Sequence, residues 1–172
     1  MIAVRAQDLF GPPGFVGTKE DMELYGATAE ENIDRIKDLI QKYNNTADGR
    51  LGIWPCLFYM PNASDKLCLM CKELADKYKV GVAGHANVMK PMVEVSVQGW
   101  GKTPIMRLYD SGALGRNVVL AHAAYMSGKD ILAVRETNTS LAHCVLASMS
   151  LQYGSCLFGH FPEMVDMGIN IT

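Results

Sequence analysis

The sequence predicts an α/β fold with parallel strands, and three observations carry that expectation. Short apolar runs at residues 2–6, 51–58, 80–86, 117–123, 139–144 and 169–172 alternate with longer amphipathic stretches. Most of these runs are apolar nearly throughout rather than alternating, as in strands whose two faces are both covered. From Leu51 onward they recur about every 30 residues, the spacing that a βαβ unit requires. The 172 residues show no composition break or linker, so one domain is expected over residues 1–172.

The elements follow in order. After the first run comes a long connection, residues 8–27, holding Gly11-Pro12-Pro13-Gly14. Its length suits an active-site rim better than a simple βα link. Over residues 28–43, Ala29, Ile33, Ile36, Leu39 and Ile40 recur at steps of three and four, which makes one apolar helical stripe. Thr28 and Glu31 form a capping-box pattern, and Asn44-Asn45 ends the helix. Residues 64–78 repeat the design, with Ser64 as cap and Leu67, Met70, Cys71, Leu74 and Ala75 inward. Further helices are expected over 103–111, closed by Gly112, over 127–136, carrying Ile131, Leu132 and Val134, and over 162–167, closed by Gly168.

Composition bounds the function. Apolar residues make up 49% and charged residues 20%, too apolar for disorder, and no run of ~18 uncharged apolar residues exists. Sixteen basic residues against eighteen acidic ones argue against nucleic acid or an anionic membrane as the main partner. The five cysteines, Cys56, Cys68, Cys71, Cys144 and Cys156, are odd in number and sit mostly in apolar runs. They read as reduced thiols of an intracellular protein. The opening MIAVRAQDLF lacks a basic head, and Arg5, Gln7 and Asp8 interrupt it, so no signal peptide is expected and the location is cytoplasmic. Cys68-x-x-Cys71 lies in mid-helix on or beside the inner stripe, which favours core packing over metal or redox chemistry. The eleven methionines are scattered and read as fillers of core and loop gaps.

The histidines carry the chemistry. His85, His122 and His143 stand at or near the C-terminal ends of successive candidate strands, in GVAGHA, VVLAHA and SLAHC. A doubly wound sheet would place a Gly-rich phosphate turn after its first strand, and neither a P-loop nor GxGxxG occurs. No G-x-S-x-G nucleophile elbow occurs either. In a (β/α)8 barrel, by contrast, strand ends converge on one cavity, and neutral imidazole is the commonest metal ligand. The expected architecture is therefore an incomplete TIM (β/α)8 barrel of about six βα units. His160, in Phe158-Gly159-His160-Phe161, has no such company and is expected to be structural.

Around these histidines stand Gly101-Lys102-Thr103-Pro104, then Asn117-Val118-Val119-Leu120-Ala121-His122 followed by Ser127, Asp130 and Ile131, then Thr139-Ser140-Leu141-Ala142-His143-Cys144. With Pro162-Glu163-Met164 and Gly168-Ile169-Asn170-Ile171-Thr172 they make the chain resemble the metal-dependent amidohydrolase superfamily, in its chlorohydrolase and cytosine-deaminase-like branch. The resemblance covers nearly the whole chain. It implies that His85 is a metal ligand on the fifth strand of the barrel. His122, on the sixth, would be a catalytic residue that ligates metal or orients the attacking water. His143, on the seventh, would bind substrate. The implied cofactor is a divalent metal, Zn or Fe, that lowers the pKa of bound water toward ~7. Hydroxide would then attack an amidine-like carbon of a small, heterocyclic compound, releasing ammonia, an amine or chloride.

Several parts of the family pattern are missing. Its His-x-His pair is absent, and its eighth-strand aspartate would follow Thr172. The six strands thus resemble the third to the eighth, and 172 residues are about two-thirds of the ~250 of a complete barrel, as expected of a domain truncated at both ends. Two open edges would favour self-association, as a homo-oligomer or an aggregate. Three residues after His85, where the family commonly has a proton-shuttling Glu, stands Val88; Glu94 lies nine residues on. Ala147-Ser148-Met149 occupies the place of the usual Asn after the seventh-strand histidine. A catalytically inert, amidohydrolase-like binding protein is therefore the alternative to an enzyme.

Overall fold

The computed structural model describes residues 1–12, 20, 27–152 and 159–172. Five parallel strands, β1 (Ile2–Ala6), β2 (Ile53–Leu57), β3 (Val82–Ala86), β4 (Val118–His122) and β5 (Ser140–Ala142), lie side by side in sequence order. An order without reversal has no switch point and curves one way, as the wall of a barrel does. The sixth expected strand is reduced to a single bridge, Leu141 to Ile171. Its backbone still runs along β5: Leu141 N–H donates to Asn170 O, Thr172 N–H to Leu141 O and His143 N–H to Thr172 O, each at 2.9 Å.

Helices cover one face: α1 (Ala29–Tyr43), α2 (Asp65–Tyr78), α3 (Lys90–Trp100), α4 (Pro104–Asp110), α5 (Gly128–Thr137), α6 (Val145–Ser150) and α7 (Phe161–Asp166). The capping signals work as the sequence implies. Glu31 N–H donates to Thr28 Oγ1 at 3.2 Å while Thr28 N–H donates to Glu31 Oε2 at 2.7 Å, a complete capping box. Ser64 caps α2 by accepting from Leu67 N–H at 3.0 Å, and Thr103 caps α4 by accepting from Met106 N–H at 3.2 Å. Such caps stabilise a helix by roughly 1 kcal/mol each.

Two helices were not expected. Between His85 and Thr103 the sequence suggests a loop, yet α3 occupies Lys90–Trp100. It buries only Met92 and Ser96, too narrow a stripe to show as periodicity. Its signals were the Pro in its first turn and Gly101, whose φ of 70° closes it in the left-handed region. The six residues of α6 are mostly exposed, with Leu146 at 81%, so no apolar face marks them.

Register sorts the strand side chains into two layers. Ala6, Leu57, Gly84, Leu120 and Leu141 are successive register partners and face the helices. There they meet Ile36 and Ile40 of α1, Leu67 and Cys71 of α2, Ile105 and Leu108 of α4 and Val134 of α5. Gly84 suits that row, since a Cβ would stand 3.2 Å from Leu120 Cδ2 and 3.3 Å from Leu57 O, tight enough that a neighbour would have to shift. The opposite face carries Arg5, Cys56, Ala83, Val119 and Ser140 in one row, with His85 and Ala121 one step higher.

Of the long connection at residues 8–27, residues 13–19 and 21–26 lie outside the described residues, as does Cys156. The start of that connection is anchored. Asp8 accepts from Ser64 N–H at 2.8 Å and from Ser64 Oγ at 2.5 Å, and the Asp8 and Leu9 amides donate to Asn62 O. This binds the rim after β1 to the turn after β2.

Candidate active site

The site lies at the C-terminal ends of β3, β4 and β5. His85 is the fourth residue of β3 and projects from the face away from the helices. His122 ends β4, in register with Ala86, so strict alternation would turn it to the helix side with Leu120. It does not go there. His122 and Ala123 adopt φ of 76° and 48°, two consecutive left-handed residues that break the alternation. The turn swings the imidazole beside that of His85, with ring centroids 5.4 Å apart and planes 28° from parallel. A non-glycine residue held in that region is strained, and such strain collects at functional sites.

Phe58, just past β2, meets the other side of His85 edge-on at 5.2 Å, and the Arg5 guanidinium lies 4.8 Å over the Phe58 ring. Arg5 also donates to Gln7 Oε1. His143 follows β5 and stacks on Phe161 of α7 at 3.6 Å. His85 Nδ1 and His143 Nε2 are buried and have no hydrogen-bond partner.

Burial pushes the pKa of all three imidazoles down, opposed at His85 by the Phe58 carbonyl and reinforced at His122 by the neighbouring His85 and His143. The neutral form, which ligates metals, is thereby favoured. The His85–His122 geometry fits that use. Two imidazoles on one tetrahedral ion with metal–nitrogen bonds of about 2.0–2.1 Å place their ring centres roughly 5 Å apart. Among the described residues no group of three His, Cys, Asp or Glu is placed to hold a metal ion.

Among the described residues, the position three after His85 brings no carboxylate to the histidines. Val88 is buried at 5% exposure. Glu94 does not fold back; it lies on α3, its side chain 54% exposed and paired with Lys90 at 3.6 Å. In the segment where an Asn was expected, Ser148 is buried and its Oγ has no partner. His160 precedes α7, where its carbonyl accepts from Met164 N–H at 2.9 Å. Arg5, Gln7, Phe58 and Asn87 were not singled out by the sequence; only their position at or just past strand ends pointed to them.

Cys68 and Cys71 belong to the core, at 1% and 0% exposure. Burial pushes the Cys71 thiol up to about 12 and Cys68 well above its ordinary value. Both should stay unlabelled by a maleimide at neutral pH until denaturant is added, as peptide mapping would show. Labelling of either in the native chain would contradict the packing described.

Comparison with known proteins bears on the family and the fold. The model of the Amidohydrolase family matches residues 4–172. The chain is 31% identical over 127 residues to 5-methylthioadenosine/S-adenosylhomocysteine deaminase of Symbiobacterium thermophilum, covering 73% of this chain and 29% of that protein. To the protein of the same name from Aquifex aeolicus it is 30% identical over 147 residues, 84% and 33% of the two chains. It thus spans about a third of the length of the curated relatives it matches. Among solved structures, an atrazine chlorohydrolase from Arthrobacter aurescens TC1 complexed with zinc superposes with a TM-score of 0.80 at 20% identity, over 97% of this chain and 35% of that one. A guanine deaminase from C. acetobutylicum with bound guanine gives 0.79 at 17%, over 99% and 38%. These superpositions establish the fold as part of a TIM-barrel wall, and no helix among the described residues is long and apolar enough to cross a membrane. The match over residues 4–172 places the chain in the amidohydrolase family.

Proposed function

We propose that this chain forms, as a single domain, one wall of a metal-dependent hydrolase that cleaves a C–N or C–Cl bond of a small heterocyclic compound. The carrying observation is the His85–His122 pair, brought together by a left-handed turn that alternation alone would not produce. His85 and His122 would hold the metal, Zn or Fe, together with ligands from outside the described residues. When bound, such an ion supplies an acidified water at neutral pH. His122 would also orient the attacking water, and burial favours its neutral ring. His143, fixed flat on Phe161 with a buried, unpartnered Nε2, would hold a polar edge of the substrate. Phe58 screens one side of His85 from water. The deaminase relatives favour an aminated purine nucleoside as substrate.

Calorimetric titration of the chain with Zn²⁺ tests the metal site. Uptake is expected, and His85→Ala or His122→Ala should weaken it by at least about 10-fold, since either change removes a ligand. Uptake indifferent to both changes would sink the proposal. The placement of Val88 and Glu94 favours a second reading, a binding protein without proton transfer. Ammonia release from 5-methylthioadenosine by the zinc-loaded chain separates the two: release supports the hydrolase, and binding without release supports the binding protein.

A further inference from the structure

We infer that Asn87 is the positioning residue that sets His85 and His122 against each other; its consequence for metal holding rests on the function proposed above. Asn87 follows His85 by two residues, is fully buried and has a φ of 50°, a left-handed conformation that Asn tolerates better than most residues. Its carbonyl accepts from the Ala124 and Tyr125 amides at 3.0 and 3.1 Å. Its side-chain amide donates to Tyr125 O at 2.9 Å and to Asp130 Oδ2 at 3.4 Å. Just before it, Ala86 O accepts from Ala123 N–H at 3.2 Å. Residues 86 and 87, immediately after His85, therefore clamp residues 123–125, immediately after His122.

The clamp acts where the backbone is strained. The left-handed His122 and Ala123 persist only while their surroundings over-determine them, and the bonds to the Ala86 and Asn87 carbonyls do so. The side chain is needed as well as the carbonyl. Both groups that the Asn87 amide faces, a carbonyl and a carboxylate oxygen, are acceptors, so its nitrogen must point toward them. A residue serving only its own turn would have no need to reach across to the β4 loop and the first turn of α5. Through Asp130 the clamp also joins the hydroxyls of Thr103 and Ser127, the caps of α4 and α5.

Two variants of the full chain test this. Asn87→Gly retains the left-handed backbone and its carbonyl and removes only the side-chain donor. Asn87→Asp retains the volume, loses the donor to Tyr125 O and sets a second carboxyl group against Asp130. Both should stay folded by circular dichroism yet lose the cross-peaks between the His85 and His122 ring protons in nuclear Overhauser spectra. Their zinc dissociation constants should rise about 10- to 100-fold, the usual cost of removing a group that orients a ligand. Leu74→Ala, a core truncation on α2, should lower the melting temperature and leave those cross-peaks intact. Ring contact retained in Asn87→Gly, or rescued by the equal volume of Asn87→Asp, overturns the inference; if the Asp variant does not fold, the Gly variant decides. Absence of histidine-dependent zinc uptake in the unmodified chain would overturn the metal reading alone, because the ring cross-peaks report the positioning without metal.

Discussion

Arg107→Ala is expected to destabilise the chain by about 3–5 kcal/mol, a large part of the stability of an ordinary domain. The Arg107 side chain, on α4, is 1% exposed, and each of its three guanidinium nitrogens donates a hydrogen bond. Nε donates to Asp65 Oδ1 at 2.9 Å, Nη1 to Met60 O at 3.2 Å and Nη2 to Ala63 O at 2.7 Å, while the plane stacks 3.8 Å over Trp100. Asp65 is 52% exposed, so losing its partner costs little by itself. The penalty comes from the cavity and from the donors lost to Ala63 O and Met60 O, of which Met60 O keeps the Ala63 N–H at 3.2 Å. Arg107→Met, which refills much of the volume, should recover part of it. Arg107→Lys should recover less than its charge suggests, because an ammonium cannot reproduce the planar fork. Urea unfolding with an unchanged m-value measures all three. A loss under about 1 kcal/mol in Arg107→Ala would mean that the loop after β2 is held by other contacts.

Asp130→Ala should cost a similar amount, about 3–5 kcal/mol, for a different reason. Asp130 is fully buried at the start of α5 and gathers donors rather than filling space. Ser127 N–H and Ser127 Oγ both donate to Oδ2 at 2.7 Å, Thr103 Oγ1 donates to Oδ1, and Asn87 adds its amide. Each hydroxyl that donates to Asp130 also accepts a backbone N–H, that of Met106 at Thr103 and that of Asp130 itself at Ser127. The carboxyl group thereby orients two helix caps at once, and its removal takes the acceptor from the part-buried donors of Ser127 and Thr103 and from the buried Asn87 amide. Asp130→Asn retains the shape and is the sharper test. It sets an amide among donors, so it should recover little of the loss. Full recovery would show that packing, and not acceptance, is what this position supplies.

The five strands of the sheet, the first two long helices with their caps, and the positions of the three histidines could all be read in the chain. Buried parallel strands and capping boxes are written in neighbouring residues. Helices α3 and α6 could not be read, because one buries just two side chains and the other is mostly exposed. The rudimentary sixth strand was overcounted for the converse reason: its apolar residues are present, but only Ile171 makes a ladder bridge.

The same division holds at the site. By itself the sequence determined that His85, His122 and His143 would stand at successive strand ends, since the spacing of apolar runs places strand ends. It also showed that no carboxylate follows His85 at the usual interval, since Val88 stands there. What only the tertiary structure decided is which histidines meet. Alternation would part His85 from His122. The left-handed His122–Ala123 turn, held by carbonyls from the loop after β3, brings their rings within 5.4 Å, while His143 stacks on Phe161. The reason is physical: the face a strand residue presents is a local property, but a break in that pattern is stabilised by bonds to the end of a neighbouring strand and its loop, 37 or 38 residues away in the chain.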